Sequence, residues 1–221
     1  MNMTTQIEGS ADKIEHENIS TINGKDLKDL FKASLVWLKN YQAVINALNV
    51  FPVPDGDTGT NMFLTMQSAL QEIANSDEKN IGKVMHSIAQ GALMGARGNS
   101  GVILSQLLRG FARELDDLEV MDATVLNKAF AESRNTAYKG VVKPVEGTIL
   151  TVSKDIASAS EDLTEHTSNL LDILGGVISA AKVSVNNTPN LLPILKQAGV
   201  VDSGGKGLFI ILEGMYRHAT G

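Results

Sequence analysis

The sequence predicts an all-α domain of eight or nine helices, on three observations. From residue 22 onward, apolar residues recur at steps of three and four, the spacing that places them on one helix face. The five prolines lie at the edges of the proposed helices, and none occurs between Asp55 and Lys143. No segment alternates apolar and polar residues as a half-buried strand does.

A polar, net acidic segment opens the chain. Its first twenty residues carry only isolated isoleucines, at Ile7, Ile14 and Ile19. Such a segment buries too little apolar surface to offset the entropy lost on ordering. We therefore expect a flexible leader over residues 1–20 and one domain over residues 21–221.

Helical stripes then follow one another along the chain. The first three helices are predicted over residues 26–47, 58–75 and 79–95, and the fourth opens at Val102. Further helices are predicted at 123–139, 147–160, 167–186, 190–198 and 205–218, and the apolar run Leu208–Leu212 continues the last of these patterns. Loops this short favour antiparallel packing of neighbouring helices.

Composition excludes several classes of protein. With 19 basic and 25 acidic residues, the net charge of −6 argues against a broad nucleic-acid surface. The chain has no cysteine, so any metal must sit on oxygen or histidine ligands. The longest apolar runs are far below the roughly 20 residues that cross a bilayer, and no secretory signal is evident. We expect a cytoplasmic protein.

Glycine is concentrated in three windows. Half of the 20 glycines fall within Gly56–Gly59, Gly91–Gly101 and Gly199–Gly207, each of which leads into an apolar helical segment. We interpret the windows as loops between helices. Three loops opening three helices offer unpaired N–H groups and positive dipole ends to a polyanion, above all a nucleoside triphosphate. The alternative is that they are tight turns without a ligand.

A pair of carboxylates follows two prolines in the segment Asn49–Asn61, which reads NVFPVPDGDTGTN. Gly56 lets Asp55 and Asp57 turn toward a common point, and two carboxylates this close repel one another unless a cation lies between them. Mg²⁺ suits such a site because it binds one or two carboxylates together with phosphate oxygens and water. The alternative is that Asp57 or Thr58 only caps the next helix.

Four motifs together resemble a known family. They are NVFPVPDGDTGTN at 49–61, GARGNSG at 95–101, KPVEGTIL at 143–150 and GVVDSGGKG at 199–207. They resemble the N-terminal nucleotide-binding domain of fatty acid kinase, in its A-type chain, which is similar to the L subunit of dihydroxyacetone kinase. The resemblance spans about residues 22–220.

The resemblance implies a DhaL-like barrel of eight antiparallel helices with ATP or ADP at one end. It also implies two Mg²⁺ ions on Asp55 and Asp57. Contacts to phosphate or nucleotide are implied at Thr58, Gly59, Thr60, Asn61, Asn99, Ser100 and Gly101, and the adenosine side is implied at Thr148, Asp202, Ser203 and Gly204. The dihydroxyacetone kinase branch has a third aspartate five residues before the first of its pair, whereas in this chain Asn49 lies six residues before Asp55. The amide oxygen of Asn49 is our candidate third ligand.

The chemistry expected of such a site is phosphoryl transfer. Positioning and charge neutralisation carry most of that reaction, and Arg97 is our candidate phosphate contact in it. A fatty acid carboxylate arrives ionised and needs no general base, in agreement with the lack of histidine in the four motifs. We interpret the apolar residues as barrel core rather than an acyl-chain pocket.

Three functions remain open at this stage. The first is a Mg·ATP-dependent kinase domain, monomeric by default, that phosphorylates a fatty acid presented by an acyl-binding partner protein. The second is an L-type subunit of dihydroxyacetone kinase, whose alcohol substrate needs a base from a partner subunit. The third is a sensor that binds ADP or ATP and turns nothing over.

Overall fold

The structure is a computed structural model that describes residues 18–221. Nine helices and two short strands lie within those residues. They are β1 (Thr21–Asn23), α1 (Gly24–Ala47), α2 (Thr58–Gln71), α3 (Ile81–Met94), α4 (Gly98–Arg113), β2 (Val120–Asp122), α5 (Ala123–Gly140), α6 (Ile149–Thr164), α7 (Leu170–Leu191), α8 (Pro193–Ala198) and α9 (Ser203–Thr220).

The eight long helices form a closed ring. Each of α1 to α6 packs against the next helix in the chain, α7 packs against α9, and α9 returns to α1. The six-residue α8 connects α7 to α9 and takes no place in the ring. This arrangement confirms the predicted all-α fold. None of the helices in residues 18–221 combines the length and apolar character that a membrane span requires.

The predicted apolar stripes face the centre of the ring. On α1, Leu27, Phe31, Leu38 and Ile45 are buried at 3% exposure or less. Burial of each such side chain contributes about 1.5–3 kcal/mol. These four residues follow one another at steps of four, seven and seven, which keeps them on one helix face, as the predicted apolar stripe requires.

The centre of the ring is not completely filled. An apolar cavity of about 400 Å³ is lined by residues of α1, α4, α5, α7 and α9, among them Phe31, Leu104, Phe130, Leu171 and Leu208. It lies at the end of the barrel where α1, α5 and α7 begin, beside the two strands. These residues belong to the core, as the sequence analysis predicted, but that analysis did not predict the cavity between them.

A two-stranded ribbon was missed by the sequence analysis. Strands β1 and β2 pair in antiparallel fashion, with Ile22 opposite Met121. Each strand has three residues, which is too few for apolar and polar positions to show a period of two.

Helix α7 corrects the prediction that every proline lies at a helix edge. Pro189 is inside α7, which continues to Leu191 rather than ending at residue 186. Proline has no N–H for the carbonyl four residues earlier, that of Val185. The Thr188 hydroxyl donates to this Val185 oxygen at 2.7 Å, and this bond replaces the missing one.

The predicted leader falls almost wholly outside the described residues, since residues 1–17 are not described. Of the remaining three, Ile19 is fixed to the start of α7. Its N–H donates to Asn169 Oδ1 at 3.2 Å, and its carbonyl accepts from Leu170 N at 2.8 Å. Ile19 thus belongs to the folded domain.

The glycine windows are also less loop-like than predicted. Of their ten glycines, all but Gly56, Gly95 and Gly199 lie inside helices. A Cβ on Gly59 would lie 2.4 Å from the Gln42 carbonyl oxygen on α1, and one on Gly91 would lie 2.7 Å from the Ser68 carbonyl oxygen on α2. These helical glycines serve close helix–helix contact.

Candidate functional site

A cavity of about 570 Å³ opens at the end of the barrel where α2, α4, α6 and α9 begin. Its wall also includes the α1–α2 loop and the α5–α6 loop. Eleven of the fifteen residues proposed from the sequence line it: Asn49, Asp55, Asp57, Thr58, Asn61, Asn99, Ser100, Thr148, Asp202, Ser203 and Gly204. The fold therefore brings the four motifs to one place.

Gly59 and Thr60 do not line the cavity. A Cβ on Gly59 would meet the α1 backbone, as described above. The Thr60 hydroxyl accepts hydrogen bonds from Gln42 Nε2 at 2.8 Å and Asn46 Nδ2 at 3.0 Å. Both residues join α2 to α1 in this structure.

Gly101 and Arg97 are also absent from the lining, and both contact Thr65. A Cβ on Gly101 would lie 2.3 Å from Thr65 Oγ1, and the Arg97 N–H donates to the same oxygen at 3.2 Å. The exposed Arg97 is the N-cap residue of α4, so its side chain starts at the edge of the cavity.

The two carboxylates of the α1–α2 loop are free to bind a cation. Asp55 is exposed and Asp57 is half-buried, and Gly56 between them has φ +67°, a conformation that favours glycine. Within residues 18–221 neither carboxylate has a hydrogen-bond or ion-pair partner, and no group of three or more histidine or acidic residues is placed to hold a metal. Two unpaired carboxylates beside a large cavity suit Mg²⁺, which completes its shell with phosphate oxygens and water.

Asn49 organises this loop. Its Oδ1 accepts from the N–H groups of Asp57 (3.2 Å) and Thr58 (3.1 Å) and from the Thr58 hydroxyl (2.8 Å). Its Nδ2 donates to the Val53 carbonyl at 2.9 Å. The Asp57 side chain makes no capping hydrogen bond to α2, so the structure does not support the alternative that Asp57 caps this helix.

The start of α4 presents unsatisfied polar groups to the cavity. Its N-cap residue Arg97 makes no side-chain cap, and Gly98 has φ +57°. A Cβ on Gly98 would lie 2.3 Å from Asn61 Nδ2, so only glycine fits here. The Ser100 hydroxyl is buried and has no partner within residues 18–221. An anion at this helix start would meet free N–H groups, a positive dipole end and an unpaired hydroxyl.

The start of α9 places a buried carboxylate on the wall. Asp202 is 5% exposed, and its Oδ2 accepts from Gly205 N at 2.7 Å. Burial raises the pKa of Asp202 to about 6, against the opposing effect of hydrogen bonds from the N–H groups of Gly205 and Ile149. The next residue, Ser203, donates its hydroxyl to Thr58 Oγ1 at 3.1 Å, which ties α9 to α2.

The α5–α6 loop is a part of the wall that sequence reasoning largely missed. Residues 140–143 and Val145 line the cavity there, and Val142 is 97% exposed. The Glu146 carboxylate fixes the end of this loop, because it accepts from Lys154 Nζ (2.9 Å), Thr151 Oγ1 (2.8 Å) and Tyr138 Oη (3.0 Å). The signal in the sequence was the apolar run beside Lys143, which helical periodicity does not explain.

Most of this chain matches a known protein family. The family model described as the DAK2 domain matches residues 52–217. An uncharacterized protein of Staphylococcus haemolyticus is 49% identical over 203 residues, and one of Staphylococcus aureus is 48% identical over the same length. Each alignment covers 92% of this chain and 37% of the relative, so the chain spans little more than a third of the length of these relatives.

A solved structure shares the fold. The dihydroxyacetone kinase from C. freundii in complex with AMP-PNP and Mg²⁺ superposes with a TM-score of 0.60 and 17% sequence identity. The match covers 98% of this chain and 38% of that kinase. At this identity the likeness shows the fold, and it confirms the DhaL-like barrel predicted from the four motifs.

Proposed function

This chain belongs to the DAK2 domain family, and from that premise we propose that it binds Mg·ATP and supplies the phosphoryl group in a kinase reaction. One observation carries the proposal. Four helix starts surround a cavity of about 570 Å³ that holds two unpaired carboxylates at the α1–α2 loop and a buried, unpaired hydroxyl at the start of α4. Groups that can bind a cation and groups that can bind an anion thus line the same cavity, as a metal–phosphate ligand requires.

In this proposal Asp55 and Asp57 hold magnesium. The family resemblance implies that two Mg²⁺ ions bind there. The metal neutralises charge on the phosphate oxygens, which is the main requirement of phosphoryl transfer. The free N–H groups at the start of α4 and the Ser100 hydroxyl bind phosphate oxygens, and Arg97 reaches them from the edge of the cavity. Thr148 and residues 202–204 hold the adenosine side, where Ile149 and Leu150 add apolar lining.

We assign a fatty acid carboxylate, presented by an acyl-binding partner protein, as the phosphoryl acceptor. The support is chemical: no histidine lines the cavity in the described part of the chain, and a carboxylate with a pKa of about 4–5 needs no base. The fold shared with dihydroxyacetone kinase supports a second candidate, phosphorylation of dihydroxyacetone with a base from a partner subunit.

Thermal unfolding with and without ligand tests the nucleotide and metal assignment. Mg·ATP at 100 times its Kd stabilises the folded state by about 2.7 kcal/mol, so the unfolding midpoint of the wild type rises, and rises more than with ATP alone. Asp55→Asn and Asp57→Asn each lose the magnesium-dependent part of this rise. Asp116→Asn, the same charge change at an exposed residue away from the cavity, retains it. A wild type whose midpoint Mg·ATP leaves unchanged refutes the proposal.

The acceptor is tested separately by product analysis. With Mg·ATP and an acyl-loaded binding protein, the first assignment predicts an acyl phosphate, which hydroxylamine traps as a hydroxamate. Dihydroxyacetone with a partner subunit that supplies the base would instead yield dihydroxyacetone phosphate. A domain that binds Mg·ATP and forms neither product fits the sensor function.

A further inference from the structure

We propose that Asn49 is a positioning residue and not a metal ligand, and that a chain of side-chain hydrogen bonds from Ser203 through Thr58 to Asn49 couples the nucleotide side of the cavity to the metal loop. The proposal rests on the function proposed above. Through these three residues, ligand binding on one side of the cavity stabilises the conformation that binds ligand on the other side.

The bonds form a continuous path between distant parts of the chain. The Ser203 hydroxyl at the start of α9 donates to Thr58 Oγ1 at 3.1 Å, over a sequence separation of 145 residues. The Thr58 hydroxyl then donates to Asn49 Oδ1 at 2.8 Å. All three residues are buried, with exposures of 4%, 6% and 7%. Water therefore does not compete for these bonds as it does at the surface.

The donors and acceptors along this path are fixed. A hydroxyl carries a single proton, and that of Thr58 is committed to Asn49. Ser203 must therefore be the donor to Thr58, so both hydroxyl groups of the path donate toward Asn49. Within residues 18–221, the Ser203 hydroxyl has no side-chain acceptor other than Thr58 Oγ1.

Asn49 has no capacity left for a metal. A carbonyl oxygen has two lone pairs, and Oδ1 of Asn49 already accepts three hydrogen bonds, from Asp57 N, Thr58 N and Thr58 Oγ1. Its Nδ2 donates to Val53 O at 2.9 Å, a bond that a carboxylate cannot make. An amide at this position clamps the loop on both sides of Asp55, since it holds Val53 before it and residues 57 and 58 after it.

Coupling follows from this clamp. The loop that carries Asp55 and Asp57 is held by Asn49, and Asn49 is held by a helix start that lines the nucleotide side. If magnesium orders the loop, it orders the start of α9 by the same bonds, and the reverse holds by thermodynamic linkage. Removal of the Thr58 hydroxyl, which leaves Asp55, Asp57 and residues 202–204 in place, should therefore weaken the coupling between the two sides.

The first arm of the test needs no ligand. Hydrogen exchange of the free wild-type protein is compared with that of Ser203→Ala and Thr58→Val, and the Asp57 and Thr58 amides are followed. Loss of one hydrogen bond predicts exchange that is about threefold to tenfold faster there. Ser153→Ala is the matched control, since Ser153 is also buried but its hydroxyl donates only within α6, to Leu150 O at 2.7 Å. Unchanged exchange in Ser203→Ala overturns the proposed path.

The second arm measures linkage. The Kd for ATP is determined by calorimetry with and without Mg²⁺, and the ratio of the two values is the coupling. Ser203→Ala and Thr58→Val should reduce this ratio about threefold to tenfold, Thr58→Ser should restore it relative to Thr58→Val, and Ser153→Ala should retain it. A ratio in Ser203→Ala equal to that of the wild type refutes the coupling. A wild type that binds no Mg·ATP refutes the proposed function instead, while the first arm still decides the path.

Asn49→Asp separates positioning from ligation. A metal ligand at this site would bind Mg²⁺ more tightly as a carboxylate. A positioning amide would lose the bond to Val53, so amide exchange in the loop would rise and the affinity for Mg²⁺ would not increase. Tighter Mg²⁺ binding by Asn49→Asp contradicts the proposal.

Discussion

Asp202 is a buried carboxylate whose hydrogen-bond donors are backbone N–H groups. Burial raises its pKa to about 6 from 3.8, and the N–H groups of Gly205 and Ile149 offset only part of that effect. None of the opposing contributions comes from a charged side chain. The residue therefore caps α9 at an electrostatic cost that depends on pH.

The pH dependence of unfolding tests this assignment. With a pKa of about 6 in the folded state, Asp202 keeps a proton that the unfolded chain releases above 3.8. As the pH rises from about 4 to 6, the contribution of Asp202 to the free energy of unfolding therefore falls, by an amount on the order of 3 kcal/mol for a shift of two pKa units. The stabilisation is fully present below the unfolded pKa.

The measurement is thermal unfolding from pH 4 to pH 7 on the wild type and on Asp202→Asn, which is neutral at this position throughout. The amide oxygen of the substituted side chain can still accept from Gly205, so the helix cap is retained in the variant. The stability of the wild type relative to the variant should fall as the pH rises across the window. Parallel curves would show that Asp202 titrates at its ordinary value.

Helix pairs in this barrel approach one another at glycines. On α4, a Cβ at Gly110 would lie 2.4 Å from the Glu132 carbonyl oxygen of α5 and 2.7 Å from Ser133 Cα. Alanine in a helix is otherwise favoured over glycine by about 1 kcal/mol. The contact with a neighbouring backbone, which cannot rotate away, should outweigh that preference.

Gly110→Ala should therefore lower the free energy of unfolding by about 1–3 kcal/mol, the usual range for overpacking. The control is Gly140→Ala at the end of α5, where the nearest atom is Cγ of the flexible Gln106 side chain at 3.1 Å. Denaturant titration of both variants measures the difference. Equal stability of the two would mean that α4 and α5 can separate without cost.

The helices themselves could be predicted from the sequence because each long one buries a stripe with a period of 3.6. Features that depend on a single distant partner could not. The start of α4 at Gly98, four residues before the predicted start, depends on Thr65 and Asn61 of α2. Pro189 stays inside α7 because Thr188 satisfies the Val185 carbonyl, a bond that no periodicity reports.

The site was predictable to a similar extent. Motif residues at the starts of α2, α4, α6 and α9 line one cavity, as alternation of helix direction requires. The packing roles of Gly59 and Thr60 could not be read from the motif, because both depend on α1 residues that lie 14 to 18 positions earlier. Whether the lining residues bind nucleotide and metal stays a prediction.

At the scale of the whole molecule, the two ends of the barrel differ in chemistry. One end has the cavity with Asp55, Asp57 and four helix starts, and the other has the apolar cavity and the β1–β2 ribbon. The eight helices of the closed ring join these ends. A ligand confined to the first end should therefore order that end and leave the ribbon end unchanged in local opening.

Hydrogen exchange with and without Mg·ATP tests this separation. Protection should rise in residues 49–58, 97–101, 141–148 and 202–205, the segments that surround the first cavity, since bound ligand suppresses their local opening. Amides of the ribbon at 21–23 and 120–122 exchange by local fraying, so they should change little at a temperature far below global unfolding. Protection that is largest at the ribbon would place the ligand at the apolar end and contradict the site.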